Sequence, residues 1–402
     1  MDSIWTGTAQ LPRFEPLRSD LRTDVLVIGG GMAGLLCAWR LRQAGVDCVL
    51  VEADRLCGGT TKNTTAKLTV QHGLIYHRLL KELGLARTKL YLHANLAALE
   101  EYRRLCRTID CDFQEKDSFV YATGSRRKLD QELEALERLG YPARFVPEVP
   151  LPVPAAGAVR LEGQAQFHPL KFAAGIAGEL RIFEHTKVLE LLPGRAVTSG
   201  GTISAERMIV ATHFPLLNKH GGYFLKLYQH RSYVLALENV PDVGGMYVDE
   251  AETGLSFRNY GDLLLLGGGG HRTGKGGGGW RELEAFAARH YPKARVAARW
   301  AAQDCMSLDG APYVGLYSGG TSGLYVASGF NKWGMTSSMA AAMILTDMAL
   351  GRDHPCAPAF DPSRTVLRPQ LAVNGWESAL GLLTPTAPRC PHMGCALKYN
   401  RQ

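Results

Sequence analysis

Residues 23–45, TDVLVIGGGMAGLLCAWRLRQAG, decide the fold of this 402-residue chain. The run 23–28 is short, β-branched and apolar, which predicts a buried strand, and the last eleven residues have the apolar spacing of a helix. Between them, glycines stand at 29, 31 and 34. In such a turn the first glycine permits the tight bend, the second lets a pyrophosphate approach the backbone, and the third lets the helix pack closely on the strand.

A second strand is predicted at 47–52, DCVLVE, and it ends in Glu52. This carboxylate follows the glycine turn by about 20 residues, the spacing at which an acidic side chain binds a ribose hydroxyl. The strand, the turn, the helix and the acid together predict dinucleotide binding. They do not distinguish FAD from NAD.

Three later stretches favour FAD. The first is the Gly- and Thr-rich loop 53–73, ADRLCGGTTKNTTAKLTVQHG; the second pairs HTKVLEL (185–191) with ERMIVATH (206–213); the third is LDGAPYVG (308–315) with the segment 323–348. They resemble, in order, the flavin-contacting segments of the D-amino-acid oxidase superfamily, which includes glycine, sarcosine and γ-glutamylputrescine oxidases. His213 departs from that pattern, because the family's strand ends in Ala-Thr-Gly.

The resemblance implies an α/β fold in which a Rossmann-type FAD-binding domain is interleaved with a substrate domain built on a mixed or antiparallel sheet. We assign 20–78, 155–213 and 300–350 to the FAD-binding domain, 79–154 and 214–299 to the substrate domain, and 351–402 to a tail. The expected FAD-binding residues are Gly29, Gly31, Met32, Ala33, Gly34, Glu52, Ala53, Thr60, Thr61, Thr65, Lys67, Val188, Ala211, Thr212, Gly329, Asn331, Lys332, Trp333, Gly334, Met335 and Thr336.

The flavin loop is most similar to that of bacterial relatives fused to a C-terminal Rieske domain. The tail carries CPHMGC (390–395), which resembles the first ligand box of such a domain, but a second Cys-His box does not follow. We therefore expect an incomplete Rieske-like box at 390–397, the remnant of a truncated domain, and assign no metal site. A zinc site completed by a ligand from elsewhere is the alternative.

The inserted segments have the patterns of a substrate domain. Helical spacing recurs in LYLHANLAALEEYRRLCRTI (90–109) and RRKLDQELEALERLG (126–140), and alternation between 229 and 268 predicts antiparallel strands that roof the flavin. The tract GGGGHRTGKGGGGW (267–280) lacks the spacing of a P-loop, so we predict a mobile surface loop there.

Three residues are candidates for catalysis. The resemblance places Lys67 beneath the flavin, where a cation would stabilise the reduced ring, and matches His271 to a substrate-contacting histidine able to bind a carboxylate or take a proton. Strand alternation turns Arg258 into the pocket, where a guanidinium would bind a carboxylate in bidentate fashion. Each also has a structural alternative: a surface lysine, a loop histidine and a solvent-facing arginine. Cys305 resembles a flavin-attachment position, and we expect a free thiol there.

These patterns predict an FAD-dependent oxidoreductase that oxidises a C–N bond of a small amine or amino acid. A 2-hydroxy-acid dehydrogenase, a non-catalytic flavin-binding protein and NAD-only binding are the alternatives. Sarcosine-type oxidases carry an oxygen-activating lysine just before the position of His271, whereas residues 255–270 contain no lysine. We therefore expect slow reaction with oxygen and an electron-acceptor protein as partner.

The composition bears on other classes of protein, such as nucleic-acid-binding and membrane proteins. With 46% hydrophobic residues, a net charge of +7 and no dense basic run, the chain predicts a globular protein that does not bind nucleic acid. It has no apolar run long enough for a membrane helix and no signal sequence, and its nine cysteines lack the spacing of a disulfide framework. We expect a cytoplasmic protein without membrane contact.

Overall fold

The computed structural model describes residues 2–216, 220–251, 254–364 and 371–376. The predicted Rieske-like box at 390–397 lies outside the described residues. The helices are α1 (Ile4–Thr8), α2 (Met32–Gln43), α3 (Tyr76–Cys106), α4 (Arg127–Leu139), α5 (Pro169–Ala177), α6 (Tyr223–Lys226), α7 (Gly279–His290) and α8 (Gly334–Ala349), with 3₁₀ turns at Thr60–Asn63 and Ala357–Ala359.

The strands fall into two sheets. They are β1 (Leu21–Ile28), β2 (Cys48–Val51), β3 (Lys67–Leu68), β4 (Gln114–Tyr121), β5 (Arg144–Val146), β6 (Ala158–Gln166), β7 (Arg181–Phe183), β8 (Val188–Leu192), β9 (Arg195–Thr198), β10 (Gly201–Val210), β11 (Leu227–Glu238), β12 (Met246–Asp249), β13 (Ser256–Tyr260), β14 (Leu263–Arg272), β15 (Arg295–Ser307), β16 (Tyr313–Leu316) and β17 (Leu324–Ser328).

The first sheet has the order β16-β17-β10-β1-β2-β7 and is parallel from β17 to β7. Strand β1 is central, and apolar side chains along it are buried on both faces, as expected of a parallel sheet covered by helices. Helix α2 packs between this sheet and α8. The carboxyl ends of β1, β2 and β10 therefore meet at one edge, where open α/β sheets bind their ligands.

The second sheet has the order β15-β11-β14-β13-β12-β4-β6-β3, with β5 beside β6. Its pairs are antiparallel except for β12 with β4, so it is a mixed sheet. Strands β6 and β15 pair in this sheet although they lie in, or extend into, chain segments assigned to the FAD-binding domain. Together the two sheets confirm the predicted α/β fold.

Two predicted helices are present. Helix α4 matches its predicted range closely. Helix α3 begins fourteen residues earlier than the predicted start at 90 and is kinked at Gly84, whose φ of +75° and ψ of 171° are not helical. The periodicity that predicts α3 is that of its second part, after the kink, where the apolar side chains face the core.

The prediction of a mobile surface loop at 267–280 is wrong for its first half. Residues Gly267 to Arg272 belong to β14, between β11 and β13, and α7 begins at Gly279. Side chains have little room here, because a Cβ at Gly267 would lie 2.5 Å from Ser256 Oγ and one at Gly269 would lie 2.3 Å from the carbonyl oxygen of Gly279. The glycines therefore reflect close packing rather than freedom of the chain.

Candidate functional site

A cavity of about 1300 Å³ extends from the carboxyl edge of the first sheet to the strands of the second. Its walls include all the expected FAD-binding residues except Gly34, Gly329 and Thr336. Those that line it are Gly29, Gly31, Met32, Ala33, Glu52, Ala53, Thr60, Thr61, Thr65, Lys67, Val188, Ala211, Thr212, Asn331, Lys332, Trp333, Gly334 and Met335. The segments that are far apart in sequence thus converge on one space.

The glycine turn after β1 is required by close backbone approaches. Gly29 has a φ of +107°, and a Cβ there would lie 2.6 Å from the carbonyl oxygen of Ala211. At Gly34 a Cβ would lie 1.9 Å from the carbonyl oxygen of Gly29, so this glycine acts through helix packing rather than as part of the wall. A Cβ on Gly31 would make only ordinary contact, 3.5 Å from Thr61 Oγ1, and both residues line the cavity.

Polar groups suited to a dinucleotide surround this turn. The amide of Met32, at the start of α2, donates to Thr61 Oγ1 at 3.0 Å. Glu52 is fixed at the end of β2 because its carboxylate accepts from the amides of Gly30 at 2.6 Å and Asp54 at 2.9 Å. A helix N-terminus that favours anions beside a carboxylate that can accept from hydroxyls fits the pyrophosphate and ribose of FAD.

A second turn shapes the opposite wall. Asn331 and Lys332 have φ values of +51° and +70°, in the left-handed region. The side chain of Asn331 holds the turn. Its Nδ2 donates to the carbonyl oxygen of Gly310 at 2.9 Å, and its Oδ1 accepts from the backbone amide of Ser307 at 2.8 Å. The turn presents Lys332 and Trp333 to the cavity.

Thr336 lies behind this wall rather than on it. Its hydroxyl exchanges hydrogen bonds with the backbone of Thr69, accepting from the amide at 3.1 Å and donating to the carbonyl oxygen at 2.9 Å. The start of α8 is thereby tied to the flavin loop at Thr69. Thr336 can support the cavity only through these backbone contacts.

Lys67 is placed as the sequence predicts, on the cavity wall. Its side chain is 9% exposed, and Nζ donates to Thr65 Oγ1 at 3.1 Å. Burial, with a further contribution from the nearby Arg258 guanidinium, lowers the pKa of Lys67 to about 7. Both protonation states of Nζ are therefore populated near neutral pH.

Arg258 does not line the cavity, contrary to the sequence-based expectation. It is fully buried, and Nη1 donates to the carbonyl oxygen of Ala66 at 2.9 Å, immediately before Lys67. The guanidinium also lies over the rings of Trp5 and Tyr260, 5.6 and 5.9 Å from their centroids. Alternation correctly turns Arg258 away from solvent, but the segment carrying Ala66 covers it. A substrate carboxylate at the cavity wall does not meet this side chain directly.

His271 also lies outside the cavity lining and reaches it through Tyr233. Its Nε2 is 3.0 Å from the hydroxyl of Tyr233, which does line the cavity, and its Nδ1 is 3.0 Å from the carbonyl oxygen of Arg272. The second contact requires a proton on Nδ1, so in the neutral ring Nε2 accepts from Tyr233. His271 is thus placed to orient a tyrosine of the wall.

Sequence reasoning missed two titratable residues of the wall. Asp304, on β15, is a carboxyl whose pKa is raised to about 6 by burial, with Lys332 opposing the shift. His213, which the sequence marks only as a departure from Ala-Thr-Gly, has a left-handed φ of +68°, and burial lowers its pKa to about 4. Its Nε2 has no hydrogen-bond partner among the described residues. Asp304 is next in sequence to Cys305, which resembles a flavin-attachment position, but is not itself among the predicted site residues.

His72 also lines the cavity but is not among the predicted site residues, although it lies in the flavin loop at 53–73. Its ring stacks on Trp333 with centroids 5.2 Å apart and planes 19° apart, and it is 2.6 Å from the hydroxyl of Tyr91. Burial lowers the pKa of His72 to about 3, so the ring is neutral.

Cys305 is a buried free thiol on the wall, 3.7 Å from Ser328 Oγ, and burial raises its pKa to about 12.

Helix α4 bounds the cavity on the side of the substrate segments. Lys128 and Gln131 line it, and Lys128 Nζ forms an ion pair with Glu250 at 2.7 Å. Glu132 is fully buried, and its two oxygens accept from the amides of Tyr76 at 2.9 Å and His77 at 2.8 Å. This carboxylate therefore caps α3, whose first residues also line the cavity.

The described ranges contain no cluster of three or more His, Cys, Asp or Glu side chains that could hold a metal ion. They also contain no helix that is both long and apolar enough to cross a membrane.

Several known proteins are similar to this chain in sequence or in fold. The chain is 32% identical over 391 residues to YhfW of Bacillus subtilis (strain 168), named as a Rieske 2Fe-2S iron–sulfur protein, covering 92% of this chain and 77% of that one. It is 26% identical over 215 residues to γ-glutamylputrescine oxidoreductase of Escherichia coli (strain K12), covering 49% of this chain and 50% of that one. The fold is similar to that of glycine oxidase from Geobacillus kaustophilus, with a TM-score of 0.72 and 21% identity over 86% of this chain and all of that one.

Residues 24–348 match the model of the family described as DAO, FAD dependent oxidoreductase. This match spans both sheets and every stretch of the flavin resemblance. Together with the cavity and its glycine turn, it identifies FAD as the cofactor. The chain belongs to the DAO family of FAD-dependent oxidoreductases.

Proposed function

We propose that this enzyme oxidises the C–N bond of a small amine or amino acid. The proposal is supported by the relatives whose names include glycine oxidase and γ-glutamylputrescine oxidoreductase. It is carried by one feature of this chain, the buried amine of Lys67 on the cavity wall. Bound FAD supplies the hydride acceptor.

Lys67 supplies what the oxidation of an amine requires of the protein. An ammonium substrate must lose a proton before its C–H bond can give up a hydride, and the neutral Nζ of Lys67 can accept that proton. The resulting ammonium, with the Arg258 guanidinium close by, forms an electropositive wall. Positive charge fixed in a buried site stabilises negative charge that develops there during the reaction.

In this proposal the other two catalytic candidates, His271 and Arg258, act indirectly, through residues of the cavity wall. Tyr233, oriented by His271, offers a hydroxyl to the substrate side of the cavity. Arg258 acts through the electrostatics of Lys67 and the position of Ala66. Arg78 also lines the cavity and offers positive charge to a substrate carboxylate.

The experiment that tests the bond class is an anaerobic substrate panel. The purified yellow protein is mixed without oxygen with amines, amino acids and the 2-hydroxy acids of matching carbon skeletons, and bleaching of the flavin absorbance is followed. The proposal expects bleaching by an amino compound and none by its hydroxy counterpart. Bleaching by hydroxy acids alone would overturn it.

The electron acceptor belongs to the same proposal. The glycines Gly267, Gly268 and Gly270 line the cavity on β14, where a sarcosine-type oxidase would carry its lysine. The family likeness to YhfW adds a relative named for an iron–sulfur centre. We infer that electrons leave to an acceptor protein rather than to oxygen. The free state of the seven cysteines in the described ranges is consistent with a cytoplasmic location.

A further inference from the structure

Two thiols meet at the C-terminal end of α3, away from the cavity lining. Cys106 is the last residue of this helix, Cys111 follows five residues later, and their sulfur atoms are 3.3 Å apart. Both are free. A disulfide requires about 2.05 Å between sulfurs, so an approach of about 1.3 Å separates this contact from a bond.

The surroundings indicate which thiol can move. Cys111 is 1% exposed, and its carbonyl oxygen accepts from the amide of His168 at 2.7 Å. The next residue, Asp112, accepts from Lys171 Nζ at 2.9 Å and from the hydroxyl of Tyr260 at 2.6 Å. Cys111 is therefore held by its own carbonyl group and by the side-chain bonds of the residue that follows it.

Cys106 is less constrained. It is half-buried at a helix end, where the amides of Thr108 and Ile109 both donate to the carbonyl oxygen of Leu105 at 3.0 Å and the chain leaves the helix. Helix ends fray more readily than helix interiors. Cys106 is thus both the more accessible thiol and the one that can close the gap.

We propose that Cys106 and Cys111 form an oxidation-sensitive thiol pair that closes to a disulfide under hydrogen peroxide. Cys106 attacks the peroxide, its sulfur becomes a sulfenic acid and one water is released. The thiol of Cys111 then attacks that sulfur, an S–S bond forms and a second water leaves. The two thiols lose two electrons and two protons in total, and one peroxide is reduced to two molecules of water.

The pair is reduced at rest and reacts slowly. The contact with Cys111 and burial both raise the pKa of the Cys106 thiol above its ordinary value. Since the thiolate is the attacking form, oxidation requires an added oxidant and time. A thiol that reacts slowly but has a partner in contact gives a disulfide rather than a more oxidised product.

Trypsin separates the two thiols and so makes the bond visible. Cleavage after Arg104, Arg107 and Lys116 leaves Cys106 in LCR and Cys111 in TIDCDFQEK. The holoenzyme is treated with hydrogen peroxide, its free thiols are alkylated, and it is digested without reductant for mass spectrometry. These two peptides should become linked, and dithiothreitol should remove the link.

Matched variants fix the assignment. Cys106→Ser and Cys111→Ser should abolish the linked peptide, and in Cys111→Ser the lone Cys106 should appear as sulfinic acid. Cys356, also half-buried, lies in the tryptic peptide 353–364 and serves as the unpaired control, which should remain unlinked. The proposal is overturned if Cys356 is oxidised while both Cys106 and Cys111 are recovered as alkylated thiols.

Discussion

The buried guanidinium of Arg258 lies close to Lys67 on the cavity wall, and this neighbour together with burial gives Lys67 an unusually low pKa for a lysine. The Arg258 guanidinium is fixed by the carbonyl oxygen of Ala66, and its Nε and Nη2 have no hydrogen-bond partner within the described ranges. Its charge and the exclusion of water both disfavour the ammonium form of Lys67. The consequence is an amine that can exchange a proton near neutral pH.

Replacing Lys67 tests this role. Because a neutral Nζ is needed to accept the substrate proton, the rate of flavin reduction should rise with pH through about 7 in the wild type. Lys67→Met should lower the rate on the order of 100-fold, the size of a lost general base, and flatten this rise. Lys67→Arg keeps the charge without a neutral form, so its profile should also be flat. Stopped-flow reduction between pH 6 and pH 9 measures this; a wild-type profile in Lys67→Met would remove the residue from the proposal.

Gly31 gives a second test. A side chain at this position would leave the fold intact but would occupy part of the cavity. Gly31→Leu should give colourless protein with a wild-type circular dichroism spectrum, since the side chain would occupy the pyrophosphate site. Gly124→Leu is the matched control, because a Cβ there meets no atom within 4 Å and Gly124 does not line the cavity. Retention of FAD by Gly31→Leu would contradict this placement.

At the scale of elements, α4 connects the substrate side of the cavity to the start of α3. Glu132, which is fully buried, makes this connection. Burial raises its pKa to about 7, although the hydrogen bonds that it accepts from backbone amides oppose the shift. The amphipathic pattern that predicts α4 reveals an inward face but not an inward carboxylate. Only the meeting of two helices, 56 residues apart at Tyr76 and Glu132, shows its partner.

The raised pKa of Glu132 predicts a dependence of stability on pH. Between its unfolded value, about 4.5, and about 7 the folded state binds more protons, so the free energy of unfolding should fall as pH rises through this window. Glu132→Gln should flatten that fall by up to about 3 kcal/mol, at 1.36 kcal/mol per unit of pKa. Urea unfolding at pH 5 and pH 7.5 measures the difference. Equal slopes in the two proteins would show that Glu132 is ionised throughout.

The sequence predicts elements more reliably than side-chain environments, and particular residues show why. Strand β1, the glycine turn and α2 form a local unit, so spacing alone predicts them. Arg258 bonds to the carbonyl oxygen of Ala66, which is 192 residues away, and His271 contacts Tyr233 on a neighbouring strand. The glycines of β14 look like a loop until strand pairing places Ser256 against Gly267. Contacts of this kind depend on tertiary packing, which no local pattern contains.

At the scale of the whole molecule, the two sheets enclose one cavity whose β14 wall offers glycine instead of lysine. We predict that the substrate-reduced protein persists in air and reoxidises quickly only with an added electron acceptor, because Gly267, Gly268 and Gly270 of β14 line the cavity where a lysine would assist the reduction of oxygen. Stopped-flow mixing with oxygen, compared with an artificial acceptor such as a quinone, measures this. Fast, oxygen-dependent formation of hydrogen peroxide would contradict it.

The most direct test of C–N oxidation is the product of a single anaerobic turnover. An amino substrate that bleaches the flavin should yield one imine per FAD reduced, and its hydrolysis should release one equivalent of ammonia or free amine together with the carbonyl product. We predict this one-to-one stoichiometry, with formation of both products slowed together in Lys67→Met. Reduction of FAD without release of ammonia or amine would contradict oxidation of a C–N bond.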